Sequence, residues 1–97
     1  MRIFSRKTLK TYWDEHADVE QPLRTWYTEA SKSEWKTPSD IKEKYPKASF
    51  LENSRVVFDI KGNKYRLIVR INFPRLWIFI RFIGTHAEYD KIDANKI

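Results

Sequence analysis

Between Arg55 and Asn72 the chain reads RVVFDIKGNKYRLIVRIN, and the period of this stretch decides the fold. Apolar side chains recur at every second position, the spacing at which residues share one face of a strand. RVVFDI and KYRLIVRI therefore read as strands. The KGN between them reads as a tight hairpin turn, where Gly62 and Asn63 both tolerate positive φ. LWIFIRFI, Leu76 to Ile83, is a further strand, reached through Asn72, Phe73, Pro74 and Arg75. In KYRLIVRI, Tyr65, Leu67, Val69 and Ile71 point one way. Lys64, Arg66, Arg70 and Asn72 point the other way, with Ile68 among them. In LWIFIRFI, Leu76, Ile78, Ile80 and Phe82 form the apolar set, opposite Trp77, Phe79, Arg81 and Ile83. With both apolar sets turned to one layer, Arg66, Arg70, Arg81, Trp77 and Phe79 share the other side.

Toward the N-terminus the period becomes helical. Leu9, Tyr12, Trp13, His16 and Ala17 fall at spacings of three and four, and Leu23, Trp26, Tyr27 and Ala30 repeat the pattern. Ser5 is placed to cap the first helix. Gln21-Pro22 separates it from the second, with Pro22 in the opening turn. So short a link predicts an antiparallel helical hairpin. Thr37 and Asp40 have the spacing of a capping box around Pro38, which predicts a short helix through Tyr45, stopped by Pro46. MRIFS reads as a brief edge strand. Helices first and an antiparallel sheet after them make a small α+β fold, one domain over residues 1–97.

A length of 97 residues suits one domain, and 41% hydrophobic residues suffice for a packed core. The absence of cysteine excludes disulfides and zinc–thiolate sites. Two distant histidines and scattered carboxylates show no metal-ligand spacing. With only two glycines there is no phosphate-cradling loop, so no metal or cofactor is expected. The run Leu76–Ile80 is far short of the ~20 apolar residues of a spanning helix. MRIFSRKTLK lacks the apolar core of a signal peptide. A cytoplasmic protein that does not use a membrane is the expectation.

Lysine and arginine number 19 against 13 acidic residues, a net charge of +6. Such a balance favours polyanionic partners, among them RNA, DNA and acidic proteins. A sheet face carrying Arg70, Trp77 and Phe79 suits RNA, because guanidinium groups contact phosphates and flat rings stack on unpaired bases. Lys61 and Lys64 at the hairpin and Lys91 in the tail add charge. The same alternation also describes an ordinary solvated face, where arginine stems cover apolar surface.

Beyond Gly84 the tail GTHAEYDKIDANKI gathers His86, Glu88, Tyr89, Asp90 and Lys91. His86 is of the residue type that can take or give a proton, and Tyr89, three residues on, shares its face of a helical turn. Metal-free RNA cleavage needs such an inventory. A base takes the proton of the ribose 2′-hydroxyl, cations stabilise the crowded phosphate, and an acid protonates the departing 5′-oxygen. Arg66 and Arg81 can supply the cations. The plainer reading makes His86 a capping or packing residue at a strand-to-helix junction.

NSRVVFDIKGNKYRLIVRIN followed by IFIRFIGTHAEYDKIDA resembles the HigB toxins, mRNA interferases of the RelE superfamily. PLRTWYTEASKSEWKTPSDIKEKYPKASFL resembles them too, and GNKYRL and GTHAEYD are the most specific blocks. The resemblance implies a RelE-like fold, a helical hairpin packed on an antiparallel sheet. It implies an endoribonuclease that cuts mRNA on the ribosome, and a HigA-like helix-turn-helix antitoxin as partner. It places catalytic roles on Arg66, matching the arginine of a YRL segment, on Arg81 and His86 near the end of the sheet, and on Tyr89 as the C-terminal tyrosine. The arginine-rich tail of RelE is replaced here by GTHAEYD, which leaves Asp90 or Lys64 able to share the work. A non-catalytic module that blocks translation by occupying RNA or the ribosome is the alternative.

Overall fold

In the computed structural model, which describes residues 1–97, five strands form one sheet. They are β1 (Arg2–Phe4), β2 (Ser49–Phe50), β3 (Arg55–Ile60), β4 (Tyr65–Asn72) and β5 (Trp77–Thr85). Their order across the sheet is β1-β5-β4-β3-β2. All neighbours are antiparallel except β1, which joins β5 in parallel and pairs Phe4 with Phe79. The helices are α1 (Arg6–Glu15), α2 (Glu20–Lys32), α3 (Pro38–Lys44) and α4 (His86–Asp90). A turn of 3₁₀ helix, Ala17–Val19, links α1 to α2.

The helical periods bury most of what they predict, but α1 stops at Glu15, so Ala17 is exposed in the 3₁₀ turn, and Gln21-Pro22 fall inside α2 rather than between the helices. Leu9 and Trp13 of α1, Leu23, Trp26 and Ala30 of α2, and Ile41 of α3 pack on Val56, Phe58, Leu67, Val69, Ile71 and Ile78. Phe58 is the hub, with the rings of Tyr45, Trp26 and Trp35 at 5.1, 5.4 and 6.0 Å. The capping box forms: Thr37 Oγ1 accepts from the Asp40 N–H, and Asp40 accepts from the Thr37 N–H. Ser5 does occupy the N-cap of α1, but its side chain makes no capping hydrogen bond. His16 is half-buried at the core edge, stacked on Tyr12 at 4.0 Å.

Two expectations fail for local reasons. In the hairpin turn, positive φ falls on Lys61 (53°) and Gly62 (66°), not on Asn63. The Lys64 N–H closes a four-residue turn on the Lys61 carbonyl, and the Asn63 side chain instead accepts from Arg66. The faces of β5 also turn over partway along. Ile68 pairs with Phe82 but Val69 pairs with Ile80, so Arg81 is the extra residue of a bulge. One inserted residue moves every later side chain to the other face. Ile83 therefore joins the helix-side core, and Phe82 faces out beside Ile68.

The outer face is only partly wet. Val57 and Ile68 are 1% and 0% exposed yet lie outside the helix-side core. The C-terminal segment turns back over this side. Tyr89 lies over Arg66, and Arg55 Nε donates to the Ile97 oxygen at 2.6 Å. No helix of the chain is long and apolar enough to cross a membrane.

Candidate active site

The turn from β5 into α4 sets the geometry. Gly84 is the pivot, since a Cβ there would meet the Phe82 ring at 2.5 Å. Thr85 then caps α4: its Oγ1 accepts from the Glu88 N–H at 3.1 Å, and Glu88 Oε1 accepts from the Thr85 N–H at 2.7 Å. The Tyr12 hydroxyl donates to the same carboxylate oxygen at 3.0 Å, which ties α4 to α1. The Thr85 N–H and then the Tyr12 hydroxyl hold Glu88 below its ordinary carboxylate range. Burial first, and then Glu88, push the Tyr12 phenol well above its usual value.

His86 and Arg66 stand at the same end of the sheet. The register sets Arg66 opposite Gly84, and the His86 N–H donates to the Lys64 carbonyl at 3.1 Å. His86 Nδ1 lies 3.1 Å from Asp90 Oδ2, one helical turn on. A carboxylate at Nδ1 selects the tautomer that leaves Nε2 as the proton acceptor. The imidazole is about half exposed, at 45%. Arg66 is held from three sides. Its Nη1 meets Asp59 Oδ1 at 2.8 Å, its Nη2 donates to Asn63 Oδ1 at 2.7 Å, and the Tyr89 ring lies 5.4 Å away. Its buried Nε–H has no acceptor. Asp59, Asn63 and Tyr89 thus fix the plane of a guanidinium that stays partly exposed, at 18%.

The other basic candidates stand apart from this group. Arg81 is exposed at the bulge with no cross-strand partner. Lys91 is exposed at the end of α4. Lys61 and Lys64 turn toward the helix pair instead. Both reach Asp18 Oδ2, at 3.1 and 2.6 Å, and the Tyr65 hydroxyl donates to Asp18 Oδ1 at 2.7 Å. Lys64, then Tyr65 and Lys61, hold the Asp18 carboxyl well below the ordinary range. A depressed folded-state value means a contribution present above the unfolded pKa of about 3.9 and lost as pH falls through the lower folded value. Asp18→Asn should therefore lower the melting temperature at pH 7, and the gap to the parent should close on acidification below pH ~3. Thermal melts across that range decide it, and a pH-independent gap would remove the ion pairs as its cause.

Arg70, Trp77 and Phe79 gather at the opposite end of β4 and β5. One cross-strand row runs Arg55, Arg70, Phe79, Phe4, and Trp77 sits one step along beside Arg2 and Asn72. Phe79 stacks on Phe4 at 5.1 Å with the planes 15° apart. Arg2 lies over Phe4 at 5.1 Å and Arg75 over Trp77 at 4.9 Å. Sequence reasoning missed Arg2, Phe4 and Arg75 here, and Asp59 and Asn63 around Arg66. Arg2 and Phe4 carry a faint signal, the alternation of MRIF. Nothing local says that this strand docks on β5.

A family model described as HigB_toxin, RelE-like toxic component of a toxin-antitoxin system, matches residues 19–92. A protein named mRNA interferase HigB from Escherichia coli O6:H1 is 28% identical over 94 residues, covering 95% of this chain and 91% of its own length. An mRNA interferase HigB of Shigella flexneri is 25% identical over 96 residues, covering 97% of this chain and 92% of its own length. The helical hairpin on a mostly antiparallel sheet is the α+β architecture that a RelE-like toxin implies. The match spans α2, α3, the strands that carry Arg66 and Arg81, and α4 with His86 and Tyr89, and by it the chain belongs to the HigB family of RelE-like toxins.

Proposed function

We propose that this chain is a cytoplasmic endoribonuclease that cuts messenger RNA on the ribosome and is neutralised by a HigA-like helix-turn-helix antitoxin. One arrangement carries the reading: Arg66, fixed beneath Tyr89 by Asp59 and Asn63, at the sheet end where His86 pairs with Asp90. His86 Nε2 takes the proton of a ribose 2′-hydroxyl while Asp90 holds Nδ1. The 2′-oxygen attacks phosphorus, and Arg66 binds a non-bridging oxygen as charge builds there. Tyr89 gives its proton to the 5′-oxygen as the P–O5′ bond breaks. The products are a 2′,3′-cyclic phosphate and a 5′-hydroxyl. Arg81, exposed at the bulge, supplies a further cation for the backbone. The basic charge of the chain suits mRNA and rRNA alike.

Expression of the chain alone, with the 5′ ends of cellular transcripts mapped afterwards, tests this. New 5′-hydroxyl ends in phase with codons are expected, and co-expression of a HigA-like helix-turn-helix antitoxin should abolish them. Growth arrest without new ends would replace cleavage by occupancy of the ribosome.

A further inference from the structure

We infer a second RNA-binding element on this chain: a stacking platform of Phe4, Phe79 and Trp77 flanked by Arg2, Arg70 and Arg75, which grips unpaired nucleotides away from the bond being cut. The inference rests on the RNA-cleavage reading and adds a subsite to it. Four residue steps along β4 separate Arg66 from Arg70, about 13 Å at ~3.3 Å per residue. The two groups therefore contact different nucleotides of one strand.

The platform differs from a merely solvated face in its construction. Parallel pairing of β1 brings Phe4 flat against Phe79, and Trp77 stands edge-on to both, at 5.7 and 6.2 Å. All three rings are half-exposed on the side away from the helices. The segment after Gly84 makes its polar contacts with Tyr12, Lys64, Arg66, Arg55 and Glu52, and it meets this row only at Arg55, two strands away from Phe79. Beside the rings lies a hollow of about 500 Å³, lined by Arg70, Asn53, Ser54, Asn72 and Phe79. An arriving base either displaces a guanidinium from a ring or stacks on it. Either way the arginine stays near the adjoining phosphate. Stacking of this kind tolerates any base, so the platform adds grip and register rather than sequence choice.

The chain carries its own reporter. Trp13, Trp26 and Trp35 are buried, and Trp77 is the one tryptophan with substantial exposure. Tryptophan emission is to be followed while the full chain is titrated with 2′-O-methyl octauridylate, an RNA that the proposed chemistry cannot cleave. Quenching is expected, absent in Trp77→Phe and weakening steeply with salt. In Phe79→Ala the quenching midpoint should move to roughly 5- to 100-fold higher RNA concentration, the range for loss of one base–aromatic stack. Circular dichroism confirms that each variant folds. No quenching, or a midpoint unchanged in folded Phe79→Ala, overturns the platform. So does quenching by an acidic antitoxin peptide in place of RNA. Transcript mapping keeps the two readings separable. Cleavage by a chain that fails the titration removes the platform alone, and saturable binding without cleavage leaves the platform and removes the nuclease.

Discussion

His86→Ala should lose roughly 10²–10⁴-fold in cleavage rate, the typical contribution of a positioned acid–base group. On the growth scale this means that expression of the variant alone no longer arrests cells. The fold should survive. The capping of α4 belongs to Thr85 and Glu88, and the bond to Lys64 uses the His86 backbone, which alanine retains. The imidazole is about half exposed, so its removal leaves no core cavity. Asp90→Asn should lose less, because an amide still reaches Nδ1 but no longer specifies the tautomer. The measurement is single-turnover cleavage of a programmed message by equal amounts of folded protein, with melting curves alongside. A folded His86→Ala chain that cleaves at the parent rate would clear the imidazole of any proton role. The acid–base work would then pass to Tyr89 and the Arg66–Asp59 pair.

What the sequence made legible was what neighbours in the chain decide. The two helices, the Thr37–Asp40 box and a tight turn at Gly62 each arise within a few residues, though α1 ended early and the turn placed its positive φ on Lys61 rather than Asn63. The flip of β5 was hidden because LWIFIRFI is apolar on both sides, so a one-residue slip at Arg81 leaves no mark on its pattern. Lys61 and Lys64 looked like cations free for RNA because their partner, Asp18, lies in another element and meets them only after the helix pair docks. The return of the C-terminal segment over the outer face was unreadable for the same reason: it rests on contacts with Arg55 and Arg66, far back along the chain. At the candidate site, the tail announced His86, Tyr89 and Asp90 through their side-chain chemistry. The restraint on Arg66 by Asp59 and Asn63 needed the register of the hairpin.

Phe58→Ala should have the largest effect on stability, about 3–5 kcal/mol. Phe58 is fully buried, and its ring meets three others drawn from separate parts of the chain. Trp26 comes from α2, Trp35 from the connection after it, and Tyr45 from the cap of α3. Alanine leaves all three facing a void, and rings that large cannot collapse into it without shifting the helices that hold them. Against a total of about 5–15 kcal/mol for a domain, the loss is a large fraction. The melting temperature should fall by well over ~10 °C, at ~4–8 °C per kcal/mol for a chain of this size. Equilibrium denaturation with an unchanged slope would locate the effect in the folded core. A loss under ~1 kcal/mol would mean that the aromatic cluster repacks freely and that the helices dock through Leu9, Leu23 and Ile41 instead. The contrast with His86→Ala is the sharper outcome. One variant should melt early yet retain cleavage at low temperature, while the other should melt like the parent and cleave almost nothing. That separation is expected because Phe58 lies on the helix-facing side of the sheet, whereas His86 stands on the helix that follows its last strand.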